Sequence, residues 1–400
     1  MRGALLALGV QLLSVAPAAA ETIAPAVFDF TDGGNAAGHP SYSVVTGFGF
    51  EPGMAHRFSI RAPEGNYRVT ARFGRIRGQV SISLLAEQRR LMVEDLDIAR
   101  DKTTERSFVV NVRTPALGDL PANATGGTQV RLKAREIGAA NWDDKLTLEF
   151  LPASLPLRSL TIEPVDVPTL YLAGDSTVTD QAVAPNASWG QKLPGFFTPD
   201  IAVANHAESG ETLKSFVTEQ RLDKLLSRLR AGDWVMIQFG HNDQKAQWPQ
   251  TYADAATTYR AWLRTYIAEV RRRGATPLLV TAPERRNFDD AGHIVPTLGD
   301  YPESMRAVAR EQRVALIDLN SSSVRFYEAL GPEFAARAFA DDDRDKTHFN
   351  DYGAYALARC VVEGLREADP ALTAGVEKHL APDVGRFDPD HPEPLPAKQP

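Results

Sequence analysis

The sequence predicts an α/β protein, a parallel β-sheet covered by helices on both faces, preceded by an all-β sandwich. Three observations carry this. Between residues 24 and 165 apolar and polar residues alternate with period two in short runs, the pattern of half-buried strands. After "EPVDVP" apolar strands alternate with amphipathic helices, and a βαβ rhythm builds a parallel sheet. The chain has 400 residues, and single cores stop growing near roughly 250–300.

Taken in order, residues 1–20 read as a secretory signal peptide: Met1-Arg2, the apolar "ALLALGVQLLSV", then "APAAA" before Glu21. Residues 21–165 are the sandwich, with alternating runs such as "YRVTARFG", "QVSISLLA" and "KLTLEFLP". Residues 166–381 are the α/β domain. Its strands are "TLYLAGDS", "DIAVANHAESG", "DWVMIQFGHND", "TPLLVTAPE" and "VALIDLN". Helical stretches such as "ETLKSFVTEQRLDKLLSRLRAG" lie between them and end in Gly, as a C-cap would. Residues 382–400, rich in Pro and Asp, read as a disordered tail. Cys360 is the sole cysteine, so an internal disulfide is impossible.

The chain is 43% hydrophobic and 24% charged, with a net charge of −7. That balance argues against nucleic acid as a partner, because phosphate binding needs a basic footprint. No run after the signal peptide reaches the length of a membrane span, so no membrane partner is expected after cleavage.

In a doubly wound sheet functional groups gather beyond the carboxyl ends of the strands. Strand one delivers Asp175 and Ser176, strand two Gly210, strand three His241, Asn242 and Asp243, and strand four Arg285 and Arg286. An acidic loop before the last helix holds Asp345 and His348, spaced so that one helical turn sets them on the same side. Acyl transfer needs these parts: Ser176 as attacker, His348 as base, Asp345 to hold the imidazole, and N–H donors for the oxyanion. The Ser176 and Gly210 backbone N–H groups and the Asn242 amide are candidate donors. Taken singly, Ser176 reads as a helix N-cap, Gly210 as a turn and Asn242 as a loop cap. Their joint appearance at strand ends points to a site.

"GDSTV" (174–178), "NHAESG" (205–210), "FGHND" (239–243) and "DKTHF" (345–349) together resemble the four motif blocks of the GDSL, or SGNH, hydrolases. The resemblance implies a flavodoxin-like three-layer fold and a metal-free, cofactor-free esterase. It matches Ser176 to the nucleophile, Gly210 and Asn242 to oxyanion donors, and Asp345 and His348 to the rest of the triad. Residues 168–368, with "ASWGQKLPGFF" and "LVTAPERRNFDDAGHIVPTLGDYPESMRAVA", are similar to the rhamnogalacturonan acetylesterase branch. Some members of that branch carry an N-terminal galactose-binding-like sandwich, which "FDFTDGG…VVTGFGF" resembles.

The implied partner is an acetylated polysaccharide or oligosaccharide, and the implied location secreted or periplasmic. Arg285 and Arg286 are then expected to pair with uronate carboxylates, and His241 and Asp243 to contact substrate. Trp189, Trp248 and Tyr301 are candidates for stacking on sugar rings. The competing readings are an esterase for acetylated xylan and a non-catalytic carbohydrate-binding protein.

Overall fold

A computed structural model describes residues 25–30, 40–74, 80–99, 101–118, 125–152, 157–341 and 344–393. The expected signal peptide lies outside them. Among the described residues nine strands come first: β1 (Ala26–Asp29), β2 (Phe48–Phe50), β3 (Arg57–Arg61), β4 (Gly65–Gly74), β5 (Val80–Ala86), β6 (Arg90–Ile98), β7 (Thr103–Val112), β8 (Lys145–Leu151) and β9 (Leu157–Pro164). They make two antiparallel layers, β1-β9-β4-β7 and β2-β3-β8-β5-β6. Alternation decides the facing: Tyr67, Val69, Ala71 and Phe73 of β4 enter a core shared with Phe58 of β3 and Leu148 of β8.

Five strands follow: β10 (Thr169–Gly174), β11 (Ala202–Asn205), β12 (Trp234–Gln238), β13 (Thr276–Val280) and β14 (Ala315–Ile317). They are parallel, in the order β11-β10-β12-β13-β14. This is the 2-1-3-4-5 order of a flavodoxin-like sheet. Every residue of β10 and β12 is buried, as expected of strands covered on both faces.

Among the described residues the helices are α1 (Trp189–Lys192), α2 (Leu213–Thr218), α3 (Arg221–Arg228), α4 (Thr258–Arg272), α5 (Tyr301–Gln312), α6 (Leu319–Ala335), α7 (Asp351–Glu367) and α8 (Pro370–Thr373). One face of the sheet packs on α1, α6 and α7 through Trp189, Phe326 and Leu357. The other packs on α2 to α5 through Phe216, Leu222, Leu263 and Met305. The stretch after Gly210 thus makes two helices rather than one, because Gln220 turns left-handed at φ +61°.

Two further features depart from the sequence reading. β7 pairs in parallel with β11 through Val110 and Val203, so one nine-stranded sheet runs from the sandwich into the α/β layer. Val109, Val167 and Ala202 cluster at that seam. The expected tail is not loose over residues 382–393. Phe387 is buried among α6 and α7 residues, Arg325 pairs with Asp388 and Asp390, and Arg359 pairs with Glu393. The acidic residues that suggested disorder are satisfied by arginines projecting from the helices.

Candidate active site

β10 ends where a side chain cannot fit: a Cβ on Gly174 would lie 2.5 Å from the Val178 side chain. The chain then turns tightly. The Asp175 carboxylate accepts from the Thr177 N–H (3.0 Å) and hydroxyl (2.9 Å), and its carbonyl accepts from the Val178 and Thr179 N–H groups. Asp175 is fully buried, and His241 lies 3.3 Å from its second oxygen. Burial pushes this carboxyl up, but the His241 charge and the Thr177 bonds outweigh it and hold it below its ordinary value. No helix starts at Ser176, so its hydroxyl caps nothing. Ser176 is buried at this turn, 8% exposed.

Across the rim, His348 Nε2 lies 2.9 Å from Ser176 Oγ. His348 Nδ1 lies 2.7 Å from Asp345 Oδ2. A carboxylate only accepts, so Nδ1 donates and the lone pair of Nε2 faces the serine hydroxyl. The pair is set by an aspartate turn rather than a helical one: Asp345 Oδ1 accepts from the N–H groups of Thr347 and His348, each at 2.8 Å, and α7 starts only at Asp351. Burial raises the Asp345 carboxyl, but the His348 ring and the two N–H bonds overcome it and hold it at about 2. Phe349, fully buried, anchors the loop by bridging to Ala187 and Phe339.

Gly210 has φ +84°, a conformation that favours glycine, and the N–H groups of Gly210 and Ser176 donate to no described residue. Asn242 is buried and spends one amide hydrogen on the Glu211 carbonyl at 3.0 Å. Its other hydrogen has no described partner. Among the described residues no cluster of His, Cys, Asp or Glu is arranged to hold a metal ion.

The expected substrate contacts are largely redrawn. His241 (3% exposed) and Asp243 (0%) face inward. His241 links Asp175 to the Pro283 carbonyl at 2.9 Å, and Asp243 accepts from the Leu213 N–H at 3.0 Å, holding the start of α2. Arg286 is buried with its guanidinium over the Phe339 ring, and its N–H donates to the Lys346 carbonyl beside Asp345. These three brace the site from below. Arg285 alone of the two arginines stays partly open. Trp189 and Tyr301 are core residues, whereas Trp248 is 44% exposed.

A model of the GDSL-like lipase/acylhydrolase family matches residues 172–356. Rhamnogalacturonan acetylesterase RhgT of Bacillus subtilis (strain 168) is 40% identical over 237 residues, 56% of this chain and 97% of that protein. The chain belongs to the GDSL-like lipase/acylhydrolase family. The probable rhamnogalacturonan acetylesterase YesY of the same strain is 37% identical, over 52% of this chain and 97% of its own. The crystal structure of protein YXIM of Bacillus subtilis aligns over 78% of this chain and 80% of its own, at 26% identity and a TM-score of 0.48.

In this acylhydrolase the sandwich reaches the site, which the sequence reading missed. Arg90, at the start of β6, donates through Nε (3.1 Å) and a terminal nitrogen (2.8 Å) to Asp180, and both side chains are fully buried. Gln88 donates to the Asp180 carbonyl and Arg89 to those of Gln181 and Asn186. Gln181 donates in turn to the Ser176 carbonyl at 2.7 Å. On the opposite side Lys133 and Arg135 donate to the Ser209 carbonyl at 2.8 and 2.7 Å and pair with Glu211 and Glu208. Buried Arg221 meets Glu136. Apart from Arg90 at the start of β6, the sandwich residues that make these contacts lie in the turn after β5 and in the segment between β7 and β8, where a charged residue gives no local signal of burial.

Proposed function

We propose that the protein is an exported serine esterase that removes O-acetyl groups from a plant cell-wall polysaccharide, a pectic backbone of the rhamnogalacturonan kind. The observation carrying this is the continuous chain of bonds from Ser176 Oγ through His348 to Asp345, in a chain that spans nearly all of RhgT and YesY.

His348 takes the Ser176 proton as Oγ attacks the acetyl carbonyl. Negative charge develops on the carbonyl oxygen, where the N–H groups of Ser176 and Gly210 and the spare hydrogen of Asn242 receive it. Asp345 faces the imidazolium as it forms. The sugar hydroxyl leaves with the proton that His348 returns. A water molecule, activated by the same imidazole, then releases acetate and restores the serine.

Acetate release from acetylated rhamnogalacturonan, acetylated xylan and nitrophenyl acetate tests this. The protein is expected to release acetate from the first polymer faster than from the second, and Ser176→Ala to release none. A strong preference for xylan overturns the pectic assignment and leaves the esterase. Undiminished release by Ser176→Ala overturns both.

A further inference from the structure

Most cations around the site are neutralised. Lys133 and Arg135 sit on Glu211 and Glu208, and Lys192 sits on Asp351. Two are not. Lys245 is partly buried, and its ammonium donates to Asn242 Oδ1 at 2.7 Å without a carboxylate within ion-pair distance among the described residues. Arg285 donates to the Thr297 hydroxyl (3.2 Å) and the His241 carbonyl (3.3 Å), and the Gln244 amide oxygen, once turned toward it, accepts at 2.9 Å. All three of its partners are neutral.

The neighbouring carboxylates are committed elsewhere. Glu284 accepts from the N–H groups of Arg285 and Thr297 and from the Thr297 hydroxyl. Asp175 faces His241, and Asp243 faces Leu213. Burial, with Arg285 next in size, lowers the Lys245 ammonium against the attraction of Asp175, and burial lowers the Arg285 guanidinium against that of Glu284 and Asp175. Two cations held near one another without a carboxylate in direct contact with either favour the arrival of an anion. Beside them the Trp248 ring, at 4.6 Å from the Lys245 ammonium, presents an exposed aromatic face.

We propose that Lys245, Arg285 and Trp248 form a subsite for an anionic sugar ring, a uronate unit of the acetylated substrate, next to the oxyanion donor Asn242. The cations meet the carboxylate and the indole meets the ring. Because Lys245 also holds the Asn242 oxygen, binding of the uronate and aiming of the amide share one ammonium. The subsite rests on the esterase reading above and deepens it.

The test measures kcat/KM for acetylated rhamnogalacturonan oligosaccharides, acetylated xylo-oligosaccharides and nitrophenyl acetate, using the full chain and Lys245→Met, Arg285→Gln, Trp248→Ala and Lys245→Arg. Dividing by the nitrophenyl acetate value removes damage to Asn242 or to folding. The uronate-to-simple-ester ratio is expected to fall roughly ten-fold in Lys245→Met and in Arg285→Gln, further in the double variant that combines these two, and to recover in Lys245→Arg. KM for the uronate substrate is expected to rise with salt from about 0.05 to about 0.5 M in the wild type and not in the double variant. Trp248→Ala is expected to raise KM for the oligosaccharides relative to the simple ester. Unchanged ratios with a salt-independent KM overturn the subsite while the esterase stands. A wild-type protein inert on all three substrates overturns the esterase reading, and the subsite with it.

Discussion

In the proposed mechanism Ser176 is a weak nucleophile by itself, and its reactivity depends on the two residues behind it and the donors in front. Replacing Asn242 with Ala removes one of the proposed oxyanion donors, so kcat is expected to fall about 10²–10³-fold with little change in KM, read from steady-state acetate release. Asp345→Asn keeps the shape but can turn the imidazole so that Nε2 carries the hydrogen, and kcat is expected to fall about 10⁴-fold. With Asp345 held at about 2, the carboxylate stays ionised under mild acidification and goes on accepting from the imidazole N–H. Asp243 carries a different pH signature. Burial first, and the like charge of Asp175, push its carboxyl up to about 7 against the Leu213 bond, whereas an unfolded aspartate titrates near about 3.9. Its raised folded value means that its contribution is fully present below about pH 4 and is lost as pH rises through about 7. Wild-type melting temperature is therefore expected to decline more than that of Asp243→Asn between about pH 4 and 8. Parallel curves would show that this carboxyl stays ionised in the fold.

At the scale of elements, the strand ends of the α/β half were legible because each is an apolar run stopping in small or polar residues. Every strand quoted for that half reappears, and the residues expected to react meet at one rim. What stayed hidden was contact across long sequence distance. Neither the inward turn of His241 and Asp243 nor the burial of Arg286 leaves a mark in local pattern, since a polar residue after a strand reads alike whether it faces solvent or a buried partner. The hairpin joining β5 to β6 shows the same limit. Its Gln88, Arg89 and Arg90 hold residues 180–186, and so steady the loop that bears Ser176. Removing one partner of a fully buried pair costs about 3–5 kcal/mol. Arg90→Met is expected to destabilise the fold by about that amount in denaturant titration and to lower kcat at temperatures where the variant is still folded. A variant with wild-type stability would show that Asp180 finds its compensation elsewhere.

For the whole molecule, the two textures of the sequence are one continuous sheet, with β7 lending an edge to β11. RhgT is matched over 97% of its length by 56% of this chain, so the acylhydrolase half has relatives of nearly its own size. Here, however, that half buries Asp180 and Arg221 against sandwich residues. Expressed from residue 166 onward, it is expected to be inactive or insoluble, because removal of the sandwich uncovers a strand edge and leaves buried charges unpaired. A soluble fragment with full activity would assign the sandwich no part in the site. The nucleophile itself can be read most directly by trapping it with a small phosphonofluoridate, followed by intact-mass and peptide mass spectrometry. One adduct on the Ser176 peptide is expected in the wild type, and almost none in His348→Ala over the same interval. Labelling at another serine, or equal labelling without the imidazole, would contradict a Ser176 nucleophile activated by His348.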